Sequence, residues 1–120
     1  MQQLVNILPW ITSFIGGWSL INGVLHDIFV LIAERGKKYD RNLLRLLMDG
    51  HILITCGIIL LLCHSSIASG QHFAFFIAMA CCASLLVYCA MIWPFLKSVV
   101  TTFISFAGLL SLVTVYFHIN

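Results

Sequence analysis

Polar and apolar positions fall into long blocks along this chain rather than alternating. Four apolar stretches stand out, at about residues 7–33, 43–64, 72–93 and 96–117. At about 1.5 Å of rise per helical residue, each can cross roughly 30 Å of hydrocarbon. Asn6 is placed to cap the first helix, with Pro9 in its first turn, where a missing N–H does no harm. Polar turns at 35–42 and 65–71 separate the first three stretches. Only Pro94 and Lys97 interrupt the apolar run from Phe73 to Tyr116, and a single helix of that length would overshoot a bilayer. The pattern therefore predicts an all-α integral membrane protein, with four transmembrane helices in an up-down-up-down bundle joined by short loops.

Composition supports lipid as the solvent. The 120 residues suffice for one domain, and 62% are hydrophobic while 8% are charged, against about a quarter charged in a soluble domain. The net charge of +2 matters less than its placement. Arg35, Lys37, Lys38, Arg41 and Arg45 cluster in the first connection, and Lys97 lies in the third. Flanked by apolar runs, these residues read as a topology signal that meets lipid headgroups, not as a nucleic-acid patch. They place the basic loop in the cytoplasm and both termini outside, in a cytoplasmic or bacterial-type inner membrane. Met-Gln-Gln-Leu at the start carries no basic segment, so the first helix is expected to insert without a cleaved signal. The five cysteines (Cys56, Cys63, Cys81, Cys82 and Cys89) form no C-x-x-C pair and read as small core hydrophobes. Thr12 and Gly16, Ser13 and Gly17, and Ser19 and Gly23 are small residues four apart, a spacing that lets another backbone approach closely.

Candidate chemistry lies in the ionisable residues that fall inside spans. Asp27 precedes the end of the first helix by about as much as Asp49 follows the start of the second, so an antiparallel hairpin puts both at one depth. The same count brings His26, His51, Tyr88, and Thr102 or Ser105 to that level, which predicts a polar layer in the cytoplasmic half. Intramembrane ionisable groups usually face a bundle interior or a wet cavity. A structural clasp is the competing reading, with Arg45 pairing with Asp49 and Arg41 or Lys38 reaching Asp27 across the hairpin. His26 and Asp49 could also share a metal, one ligand from each helix. A second metal or pH-sensing candidate is the outer trio His64, His72 and His118. Trp10, Tyr116 and Phe117 on that side, and Trp93 on the other, match interfacial belt residues.

No G-x-S-x-G, H-E-x-x-H or phosphate-binding glycine loop is present, and no sequence motif names a cofactor. In size and layout the chain is similar to several small four-helix membrane families, among them the small multidrug resistance transporters. Those carry an acidic residue in the first helix, as this chain carries Asp27. Their acid is a glutamate early in that helix, within aromatic and small-residue motifs that this chain lacks, so no residue role carries over. The sequence predicts a transporter-like, channel-like or accessory membrane subunit, acting in the bilayer as a homo-oligomer or within a larger complex. Its polar layer would handle protons, an ion or a small polar ligand. A metal- or cofactor-dependent membrane enzyme acting on a lipid or quinone, and a purely structural partner subunit, are the alternatives.

Overall fold

The computed structural model describes residues 2–95 and 97–119, and every described element is helical. Helix α1 spans Gln2–Ala33, α2 Arg41–Leu62, α3 His64–Ala68, α4 His72–Ile92 and α5 Val99–Ile119. Four of them, all but α3, are long and apolar enough to cross a membrane. By helical rise α2, α4 and α5 each measure about 32 Å, close to a hydrocarbon core, whereas α1 reaches about 48 Å. The whole molecule is 53 Å long, so α1 runs nearly its full length.

Local chemistry explains most of the boundaries. Gly36, at φ 81°, turns the chain after α1, and the Asp40 carboxylate caps α2 by accepting from the Leu43 amide at 3.0 Å. Helix α1 starts earlier than the predicted Asn6 cap, and Pro9 therefore lies inside it. One helical hydrogen bond is lost there, since Pro9 cannot donate. The predicted outer loop folds into the single turn α3, which buries Ile67 and ends at Gly70, φ 74°. Pro94 does break the last apolar run, but α5 begins only at Val99, with the Thr102 hydroxyl donating to the Ser98 carbonyl at 2.7 Å.

The four long helices close into a ring in which α1 packs on α2, α2 on α4, α4 on α5 and α5 on α1. Phe75, Leu8, Ile15, Leu60, Leu85 and Leu112 fill the centre and are fully buried. The outside carries large apolar side chains such as Phe29, Phe103, Phe106 and Phe117, all more than half exposed. The bundle is apolar both inside and out, which is how a membrane-spanning helix set reads. Because α3 packs on α1 and His72 touches Tyr116, the termini and the α2–α4 connection share one end. All six Lys and Arg residues therefore gather at the other.

The tightest seam joins α1 to α2, and glycines set it. A methyl on Gly16 would lie 2.8 Å from the Gly57 carbonyl oxygen, and one on Gly23 would lie 2.5 Å from that of Gly50. Within each helix the two glycines are seven residues apart, two turns, so both crossings fall on one face. Thr12 and Ser19 lie on that stripe of α1 and are fully buried. The small-residue stripe thus has its partner in this chain. Gly17 is not part of it and has open space around it.

Candidate functional site

Gly50 decides where the first carboxylate goes. A side chain at that position would collide with the Asp27 carboxylate, which lies directly over the Gly50 backbone. Asp27 therefore points between α1 and α2 and is only 21% exposed. Asp49 is the residue just before Gly50 on α2 and points about 100° around the helix from it, toward α4. There it lines a groove of about 530 Å³ between α2 and α4, with Ser84 and Tyr88 as the other polar residues. The two carboxylates thus flank α2 at neighbouring levels, one on each side.

Tyr88 joins the two halves of the layer. It lines the Asp49 groove and also a smaller cavity of about 250 Å³ that holds His26, Asn22, Ser98 and Thr101. Both Asp49 and Asp27 lie within electrostatic reach of its hydroxyl. Around the smaller cavity the helices are tied by polar contacts. The Trp18 indole donates to the Thr101 hydroxyl at 3.1 Å, binding α1 to α5, and the Asn22 amide donates to the Trp18 carbonyl at 2.7 Å.

Among the described residues no Lys or Arg pairs with either carboxylate. Among the described residues the ion pairs are Lys37–Glu34 at 3.0 Å, in the loop, and His26 Nδ1–Asp27 at 3.5 Å. The second is long for a hydrogen bond and joins neighbours in sequence. Arg45 does not reach Asp49, and neither Arg41 nor Lys38 reaches Asp27. The carboxylate of Asp49 and the hydroxyls of Ser84 and Tyr88 make no hydrogen bond among the described residues.

Helix rotation removes three expected members from this layer. His51 is exposed on the outer face of α2, about 200° around from Asp49. Thr102 points about 100° around α5 from its neighbour Thr101, beside Trp93 and Leu86. Ser105 is fully buried in the core, and its hydroxyl has no hydrogen-bond partner among the described residues. Ser19 is in the same position. Thr101, Asn22, Ser98 and Ser84 take their places in the layer. Only their nearness in sequence to Thr102, His26, Lys97 and Tyr88 hints at this.

The metal candidates do not assemble. His26 and Asp49 line different cavities, and no three His, Cys, Asp or Glu residues converge among those described. The outer histidines have separate roles. His64 Nδ1 lies 2.7 Å from the Ser13 hydroxyl and 3.0 Å from the Pro9 carbonyl, with its ring edge-on to Trp10. A protonated Nδ1 donates to the Pro9 carbonyl and an unprotonated one accepts from the Ser13 hydroxyl, and either bond ties α3 to α1. His72 meets Tyr116 edge-on, and His118 is exposed. All five cysteines are buried and free. No family model matches the chain, and neither a curated protein nor a solved structure matches it.

Proposed function

We propose that the chain is an integral membrane protein of four spans, with its basic end cytoplasmic and its termini outside, that moves a proton or small cation through its polar layer. The observation that carries this reading is the pair Asp27 and Asp49, set in apolar helices with no Lys or Arg against either. A carboxylate at membrane depth without a cationic partner is expensive when charged. It becomes affordable in two ways, by taking up a proton or by holding a cation. Both are exchanges with a mobile species. A clasp would instead lock the carboxylates to arginine or lysine.

The layer offers a route for such an exchange. Asp49 lines the groove on one side of Tyr88 and His26 the cavity on the other, with Asp27 3.5 Å from His26, so the tyrosine borders two sites of proton affinity. Tyrosine can both donate and accept, and so can pass a proton without holding charge. Its hydroxyl being otherwise unengaged suits that role. The gathering of all basic residues at one end supports the orientation.

The test is proton or cation flux in liposomes under an imposed potential. Wild-type protein is expected to conduct, with at least a tenfold loss in Asp27→Asn and in Asp49→Asn and a comparable loss in Tyr88→Phe. Flux unchanged in both aspartate variants would exclude the layer as the path.

A further inference from the structure

The groove between α2 and α4 has a composition that selects one kind of ligand. Its walls are mostly apolar, with Ile52, Val87, Met48 and Met91 contributing carbon and sulfur surface. Three polar groups interrupt them: the Asp49 carboxylate and the Ser84 and Tyr88 hydroxyls. None of the three is hydrogen-bonded among the described residues. The volume of about 530 Å³ falls within the range of small-molecule sites, about 300–1,000 Å³. The groove lies on the outside of the ring, rimmed by the exposed apolar side chains of Met48, Ile52, Val87 and Met91, so a ligand in the bilayer could enter sideways.

We propose that this groove binds a small amphiphile with a primary ammonium head and a short apolar body. Charge sets the sign: the groove holds one carboxyl group, Asp49, and no basic side chain, and among the described residues no Lys or Arg pairs with it. Hydrogen-bonding capacity sets the head group. A primary ammonium brings three N–H donors, and the groove presents a carboxylate and two hydroxyls, all able to accept. A quaternary ammonium carries the same charge with no donor, and would leave the hydroxyls unsatisfied while filling more space. The apolar body packs along Ile52 and Val87, and the two unbranched methionines adjust to its shape.

This assignment rests on the reading of Asp49 as an intramembrane carboxylate without a partner, and names a ligand for that side of the layer. It also gives Tyr88 a second task, since a head group bound at Asp49 closes one of the two cavities that the tyrosine separates.

Methionine methyl NMR of the full chain in lipid nanodiscs reads the site directly, because Met48 and Met91 line the groove while Met79 does not. Titration with octylammonium is expected to shift Met48 and Met91 saturably and to leave Met79 in place. Octyltrimethylammonium should bind at least tenfold more weakly. Binding should be lost in Asp49→Asn and in Ser84→Leu, the latter filling the groove from an exposed position without touching the core. Equal affinity for the two cations, or shifts that grow with dose at Met48, Met79 and Met91 alike, would overturn the site. Proton flux that persists in liposomes while octylammonium produces no saturable shift would sink this site alone and leave the proposed function standing. A saturable shift in a protein that shows no flux would uphold the site and reject transport.

Discussion

The glycine seam makes a prediction whose sign depends on the structure. Gly57→Ala adds a methyl 2.6 Å from the Gly16 carbonyl oxygen and 2.7 Å from the Leu20 nitrogen. Both are backbone atoms, so no side chain can rotate away and the two helices must separate by several tenths of an ångström. Overpacking of this kind costs about 1–3 kcal/mol. Alanine returns about 0.5–1 kcal/mol over glycine within a helix. The net expectation is a loss of up to about 2.5 kcal/mol. Gly17→Ala meets nothing within 4 Å and keeps only the helical gain, so it should stabilise by about 0.5–1 kcal/mol. Reversible unfolding in mixed micelles, titrated with sodium dodecyl sulfate, reads both on one scale. Equal shifts of the same sign in the two variants would refute the seam, because sequence alone gives these glycines the same propensity.

Other positions carry independent expectations. Trp18→Phe and Thr101→Val each remove one side of the α1–α5 hydrogen bond, and a double-mutant cycle should return a coupling of about 0.5–1.5 kcal/mol. A coupling near zero would dissolve that tie. Ser19→Ala and Ser105→Ala remove buried hydroxyls that have no partner, so both should be neutral or stabilising in the same unfolding assay. A loss beyond 1 kcal/mol in either would reveal a hydrogen bond the structure does not contain. Ser13→Ala takes one partner from His64, and hydrogen exchange at α3 should rise while the core of α4 stays protected.

The long helices were legible because polar turns bracket apolar blocks. The predicted 43–64 and 72–93 differ from α2 and α4 by two residues or fewer at each end. Helix α1 began early because Asn6 and Pro9 imitate a start, although a helix already under way can pass a proline at the loss of one bond. The five residues of α3 are too few for any periodicity to show, and a buried Ile67 is its main trace. In the layer, depth was readable and rotation was not. Counting rise from the hairpin loop placed Asp27, Asp49 and His26 at one level, since an antiparallel pair is symmetric about its turn. Which of two adjacent residues faces the neighbour depends on how the helices are rolled against each other. That roll is set by Gly16, Gly23, Gly50 and Gly57. The α1 glycines were visible as half of a stripe, but pairing them with Gly50 and Gly57 required the register between helices. Without it, His51 could not be assigned to the outside, nor Thr101 preferred over Thr102.

The proposed function stands on reading Asp27 and Asp49 as carboxylates at membrane depth that pair with no Lys or Arg, and their role in stability tests this most directly. Unfolding free energies of Asp27→Asn and Asp49→Asn should be measured beside wild type in one lipid system. With no Arg or Lys to release, each amide should leave stability unchanged or raise it, by up to about the 2.5–3.5 kcal/mol that a charge costs at mid-membrane. A clasp predicts the reverse, since breaking a buried pair costs about 3–5 kcal/mol. A loss of that size in either variant would contradict the account and make the layer a fastening between helices.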